Sequence, residues 1–250
     1  MSITVPEARA EQARATMLEL FPDGFEEVER TGVLELAAYT DAAGASGLWR
    51  AFGEYAWSEV PEDWQHRWRE FHRAVEVGEL WVGPPWLEAP EGKIAIVIDP
   101  GRAFGTGAHP TTQACLELIS EQERASLLDI GCGSGVLSIA AAKLGFEPVT
   151  ALDHDEVTVE TARRNAEVNG VRIDVRLLEA LEDELPSAGL AVVNISATVG
   201  EQLAPRLRTS LLVTSGYLAN DRPAPAGFAH LERRERDGWA ADVWTARSSP

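Results

Sequence analysis

The chain has 250 residues, 45% hydrophobic and 25% charged, with a formal net charge of −18. That length suits one large domain, or a medium domain beside a small one, with the apolar share of a folded globular protein. A surface this acidic excludes binding of naked nucleic acid by general phosphate neutralisation, and no apolar run approaches the roughly 20 residues of a membrane span.

The opening segment MSITVPEARAEQARATMLEL lacks the basic start and apolar block of a signal peptide. Only Cys115 and Cys132 carry thiols, which argues against a disulfide framework and fits a reducing, cytoplasmic setting. The five scattered histidines and two cysteines show no metal-ligand spacing.

Residues 1–60 read as a small α+β unit. Ser2–Val5 is an expected strand and Glu7–Leu20 an amphipathic helix. Phe25–Tyr39 reads as two strands turning near Thr31-Gly32, Gly47–Phe52 as a short helix and Tyr55–Val60 as a last strand. The order β-α-β-β-α-β is that of small ferredoxin-like domains. In Glu62–Val75, the residues Trp64, Trp68, Phe71 and Val75 fall at helical spacing, so one face would bury aromatics. Gly83-Pro84-Pro85 then breaks the chain.

From Ile94 onward strands and helices alternate. Ile94–Ile98 is a strand, Thr111–Ile119 a helix, Ser126–Ile130 a strand and Val136–Leu144 a helix. Val149–Leu152 is a strand ending at Asp153. Asp155–Asn169 is a helix stopped by Gly170, with Asp155 its natural N-cap. Strands follow at Ile173–Leu178 and Leu190–Val193, then the helix Val199–Leu207 and the strand Leu211–Thr214. Such alternation gives a mostly parallel sheet covered on both faces. His230–Arg236 and Trp239–Ala246 flank Asp237-Gly238, a hairpin signal, so the sheet is expected to close with an antiparallel pair.

Chemistry concentrates in LLDIGCGSGVLSIAAAKLG, Leu127–Gly145. An aliphatic strand runs into Gly131, Gly133 and Gly135 and then into a helix. Residues without a Cβ let the backbone turn sharply and let a ligand approach. A dinucleotide fingerprint needs G-x-G-x-x-G, but its last position here is Val136. The pattern is G-x-G-x-G, and with Asp129 before it this resembles the first motif of class I methyltransferases.

Asp153 stands at the end of the next strand, where an acid can accept hydrogen bonds from both ribose hydroxyls. Asp129 is better placed to bond backbone or a cofactor's amino end. Either acid has a plainer reading as a cap or turn residue.

Asn194, in LAVVNIS, closes a later strand, where its amide can orient an incoming nucleophile. It is followed by Ile195-Ser196-Ala197. Two prolines and an aromatic commonly follow at this place in amino-group methyltransferases, and their lack argues against a flipped nucleic-acid base as substrate.

Upstream, DPGRAFGTGAHPTT spans Asp99–Thr112, and Thr111 or Thr112 would cap the following helix, whose N-terminus suits a carboxylate. His109 reads as a structural loop residue or as a general base. Phe104 would line a methyl channel or pack in the core.

With these motifs in view, the chain resembles the bacterial methyltransferases of large-subunit ribosomal protein eleven, the PrmA family. The likeness rests on AFGTGAHPTT at Ala103–Thr112, the glycine loop, ALDHD, VVNIS, and the EDWQHRWREFH segment before them. It covers residues 60–220 well and the first 60 weakly.

The resemblance implies an α/β fold: a Rossmann-like class I methyltransferase sheet with a terminal antiparallel hairpin, preceded by a small N-terminal α+β, ferredoxin-like domain. On that basis residues 1–60 would recognise substrate, 61–93 form a Trp-rich helical linker and 94–250 carry methyl transfer. The implied cofactor is S-adenosyl-L-methionine. Its contacts, carried over by motif, fall on Thr112, Gly131, Asp153 and Asn194, with Gly133 and Thr106 beside them. Asn194 is also the candidate catalytic residue.

The implied reaction methylates lysine side chains or an N-terminal amine of a ribosomal protein, a basic partner that the acidic surface would steer in. Two features depart from the family pattern. The N-terminal unit is short, and Pro223 and Pro225 forbid a long helix after Tyr217. Methylation of a small metabolite with the N-terminal unit as lid, and a non-catalytic cofactor-binding module, are the alternatives. The intact Gly131, Asp153 and Asn194 speak against the latter.

Overall fold

The computed structural model describes residues 1–6, 9–21, 26–30, 32–38, 40, 42–53, 55–56, 74–99 and 107–247. The chain divides into two units, Met1–Arg69 and Glu70–Pro250.

In the first unit, β1 (Ser2–Pro6), β2 (Glu26–Arg30) and β3 (Val33–Ala37) form an antiparallel sheet in the order β1-β3-β2. Two helices, α1 (Ala10–Leu20) and α2 (Ala42–Phe52), share one core with it, built on Ile3, Val5, Met17, Leu34, Leu36 and Leu48. Helix α2 starts five residues before the expected Gly47. Gly44 and Gly47 are weak helix formers and hid its first turn. Packing explains Gly47, since a Cβ there would lie 3.2 Å from Leu20 Cδ2. Of the expected strand Tyr55–Val60, Ala56 makes a single bridge to Ser2, and residues 57–60 lie outside the described residues.

The second unit opens with β4 (Val75–Val77) and β5 (Leu80–Gly83), an antiparallel hairpin turning at Gly78. Strand β6 (Ile94–Val97) pairs parallel with β5. Two expectations are corrected here. Val75 and residues 75–83 are strands, not part of a helical linker, because Val-Glu-Val and Leu-Trp-Val alternate about a glycine turn and β5 is buried along its length. Strand β6 belongs to this three-stranded sheet and not to the main one. Trp64, Trp68 and Phe71 lie outside the described residues.

The main sheet contains β7 (Leu127–Ile130), β8 (Val149–Asp153), β9 (Asp174–Leu177), β10 (Ala188–Asn194), β11 (Thr209–Leu218), β12 (Phe228–Arg236) and β13 (Trp239–Ala246). Their order is β12-β13-β11-β10-β7-β8-β9. The five strands from β11 to β9 run parallel, and β13 is antiparallel to both of its neighbours. The hairpin therefore inserts its second arm between β11 and the first. Its turn has φ +48° at Asp237 and +80° at Gly238, the left-handed pair that matches strand twist.

Helices α3 (Pro110–Glu121) and α4 (Val136–Leu144) cover one face, burying Leu116, Ile139, Leu127, Val192 and Val213. Helix α5 (Glu156–Val168) buries Val159 and Ala162 against Ala151 and Val175. On the other face α6 (Ala197–Leu203) packs with Leu128, Ile130, Val193, Leu212 and Trp244. Neighbours such as Leu127 and Leu128 thus enter opposite cores, as in a parallel sheet buried on both sides. Helix α6 stops short of the expected Leu207. Pro205 lacks an N–H, and a 3-10 turn, Ala204–Arg206, takes over.

Residues 219–227 hold no helix, as the prolines require. Nearby, the buried Asp242 accepts from Tyr217 OH at 2.8 Å, His230 Nε2 at 2.7 Å and Arg233 Nε at 3.0 Å. Among the described residues, no helix is long and apolar enough to cross a membrane.

Candidate functional site

From β7 the chain winds one way through α4 to β8, while β10 lies on the other side of β7. The carboxyl ends of β7 and β10 therefore open a crevice at the switch point, where open α/β sheets take ligands.

The glycine loop forms its rim. Gly131, Gly133 and Gly135 have φ of +72°, +55° and +82°. These are left-handed values that L side chains adopt only with strain. Gly131 and Cys132 both donate to Leu152 O, at 2.8 and 3.0 Å. A Cβ at Gly131 would lie 2.6 Å from Ile195 Cδ1, so Ile195 would have to move.

Asp153 joins the loop to the crevice. Its Oδ2 accepts from Gly133 N at 3.0 Å and its Oδ1 from Asp155 N at 3.2 Å. Each oxygen keeps acceptor capacity for one more donor. Asp153 is 8% exposed and lines a cavity of about 230 Å³ with Gly131, Leu178, Ala180, Ile195 and Val199. The lining thus sets the Asp153 carboxylate among aliphatic side chains. The helix cap in this stretch is Asp155, whose Oδ1 accepts from Val157 N at 2.9 Å.

Asp129 does not reach this cavity. It is fully buried beneath the loop and accepts from Ser138 Oγ at 2.6 Å. Burial pushes its carboxyl up to about 6, against the opposing hydrogen bonds from Ser138. Burial likewise pushes the Cys132 thiol well above its ordinary value, so it is no nucleophile at neutral pH.

Asn194 ends β10, paired in register with Ser215. Its Oδ1 is buried and has no hydrogen-bond partner among the described residues. An unsatisfied buried acceptor is costly and calls for a donor from elsewhere. Ile195 follows, 43% exposed, covering Gly131 and walling the cavity. Ser196 then caps α6, accepting from Val199 N at 3.3 Å.

The capping of α3 corrects the sequence reading. His109 is its N-cap and Pro110 its first residue, so neither threonine caps it. His109 Nδ1 lies 2.7 Å from Thr111 Oγ1 and 3.3 Å from Thr111 N, and its ring packs edge-on to Trp239. Burial lowers its pKa. His109 thus serves as the cap of α3. Thr112 is 2% exposed in the first turn of α3. Thr112 and Asn194 stand outside the lining of the cavity, whereas Gly131 and Asp153 meet in it. Thr106 and Phe104 lie outside the described residues.

Three features escaped the sequence. Glu179, Ala180 and Leu181 line the cavity from a connection that carries no motif. Ile195 was notable only as a missing proline. Gly216, with φ +93°, lets the Ile195 backbone pass, because a Cβ there would lie 2.5 Å from the Ile195 carbonyl carbon. A lone glycine inside a strand was its available signal.

Comparison with known proteins bears on this arrangement. Residues 9–243 match the family described as Ribosomal protein L11 methyltransferase (PrmA). The protein of that name from Symbiobacterium thermophilum is 41% identical over 205 residues, covering 75% of this chain and 66% of the relative. One from Exiguobacterium sp. is 39% identical over 214 residues, covering 76% and 67%. The chain thus spans about two thirds of the length of these relatives. The crystal structure of ribosomal protein L11 methylase from Lactobacillus delbrueckii subsp. bulgaricus superposes with a TM-score of 0.63 at 26% identity, covering 71% of this chain and all of that one.

Proposed function

The chain belongs to the ribosomal protein L11 methyltransferase family, and on that premise we propose that it uses S-adenosylmethionine to methylate amino groups of a large-subunit ribosomal protein. The observation that carries the reading is the joint placement of Gly131 and Asp153 on one aliphatic cavity, with the buried Oδ1 of Asn194, unpartnered among the described residues, on the neighbouring strand.

The residues present fit the cofactor. Asp153 would accept from the ribose hydroxyls while it holds Gly133. Leu178, Ala180, Ile195 and Val199 would enclose the base. The first turn of α3, at Thr112, would face the methionine carboxylate. Thr106 is carried with it by motif. When bound, the sulfonium supplies an electrophilic methyl group.

Asn194 Oδ1 would accept a hydrogen bond from the incoming amine and aim its lone pair. An amide oxygen takes no proton at neutral pH, so the amine must enter uncharged. A lysine ionises near 10.4 in water, and burial in the site lowers that value. Alignment does most of the rest, and can supply roughly 7–11 kcal/mol.

The N-terminal unit would recognise the protein substrate. The net charge of −18 would draw a basic partner in the cytoplasm. Incubation with methyl-labelled cofactor and purified ribosomal proteins tests this directly. Labelling of one large-subunit protein, lost in Asn194→Ala, is expected. Label found only in a pool of small metabolites would overturn the substrate assignment.

A further inference from the structure

Ile195 is seated between two residues that lack a Cβ. On the β7 side, its Cδ1 stands 2.6 Å from where a Gly131 Cβ would be. On the β11 side, its main chain crosses Gly216, where a Cβ would lie 2.4 Å from Ile195 O and 3.0 Å from Ile195 N. Asn194 immediately precedes this seat, paired in register with Ser215.

Gly216 is the extra residue of a bulge in β11. The register against β13 shifts between Ser215, opposite Ala241, and Tyr217, opposite Ala240. Both neighbours are anchored. Ser215 Oγ donates to Ala240 O at 2.8 Å, and the Tyr217 hydroxyl donates to Asp242 at 2.8 Å. Gly216 itself has φ +93°, a conformation that a side chain would strain. A bulge gives up ladder pairing and bends the strand. A strand that only completed the sheet would keep its pairing and carry a side chain here.

We propose that Gly216 is a positioning residue for Asn194. The bulge sets the height at which the chain leaves β10, and with it the aim of the Asn194 amide at the incoming amine. This rests on the reading of Asn194 above and adds to it the element that holds the amide in place.

The shift that a side chain would force is set by the contact. In Gly216→Ala the Ile195 carbonyl must move from 2.4 Å to ordinary contact near 3.4 Å, a retreat of about 1 Å. A misplacement of that size can lower turnover about a hundredfold. The Ile195 side chain is 43% exposed and can re-seat over Gly131, so the nucleoside contacts persist.

Turnover is followed with methyl-labelled cofactor and purified large-subunit ribosomal proteins, and cofactor affinity by calorimetric titration with S-adenosylhomocysteine. Gly216→Ala is expected to lower kcat about 10- to 100-fold while affinity stays within about threefold of wild type. Affinity that fell as much as kcat, or an unchanged kcat, would overturn the role. If Gly216→Ala does not fold, Ser215→Ala decides. It adds no atom and removes the bond that pins the bulge to Ala240, so the same split is expected, with kcat lowered about three- to tenfold. If neither variant folds, the bulge serves the fold alone and the role is overturned. Wild type that binds S-adenosylhomocysteine and labels no ribosomal protein would instead refute the amine reading on which it stands.

Discussion

Replacing Gly131 by alanine separates the strain on the loop from its role at the ligand. The backbone there has φ +72°, and placing a Cβ in the left-handed region costs about 1–2 kcal/mol. The new methyl would also lie 2.6 Å from Ile195 Cδ1. Ile195 is 43% exposed, so its side chain can swing away at little further cost to folding. That side chain lines the cavity together with Gly131 and Asp153. Chemical denaturation should therefore show a loss of about 1–2 kcal/mol, a fall in Tm of roughly 2–8 °C. Crowding of the cavity adds about 1–3 kcal/mol against the ligand alone, so calorimetry should show S-adenosylhomocysteine binding weakened about 5- to 150-fold. Alanine at Gly216 makes the control. There the obstacle is the Ile195 backbone, which cannot rotate aside, so stability should fall further than in Gly131→Ala. Wild-type affinity in a folded Gly131→Ala protein would refute the placement of the nucleoside.

Asn194→Ala removes a buried acceptor that finds no partner among the described residues, so thermal stability should hold or rise while kcat falls about a hundredfold. Cofactor affinity that fell as much as kcat would move Asn194 from the amine to the cofactor. Asp129 has a folded pKa of about 6 against an ordinary 3.8, so protonation favours the fold. Its contribution is complete below 3.8 and is lost as pH rises through about 6. Relative to Asp129→Asn, wild type should gain roughly 3 kcal/mol as pH falls from 7 to below 4, and a flat difference curve would contradict its burial. Asp242→Ala leaves Arg233 and the Tyr217 hydroxyl without their shared acceptor and should cost about 3–5 kcal/mol in denaturant unfolding. A loss under about 1 kcal/mol would mean that the group is solvated in the native state, as exposed pairs are.

The main sheet was legible because its central strands are buried on both faces and read as aliphatic runs, Leu190–Val193 among them. The glycine spacing and Asp153 were legible because they act close in sequence to the turn they build. Capping at His109 was hidden by two threonines that are better caps by propensity. Pro110 at the first helical position decides it, since it fixes where the helix begins. Strands β4 and β5 were lost to a helical spacing drawn too far, past Ala74. The glycines of α2 concealed a helix that only contact with α1 explains.

Sequence by itself determined the alternating elements, the G-x-G-x-G turn, the strand-end carboxylate and the family, because each is written in residues a few positions apart. Only the tertiary structure decided that β13 enters between β11 and β12, that Ile195 faces Gly131 across 64 positions and that Asn165 ties Asp99 to Ser134. Such pairings depend on which surfaces meet once the sheet is assembled. Packing between distant segments leaves no periodic trace in either segment alone.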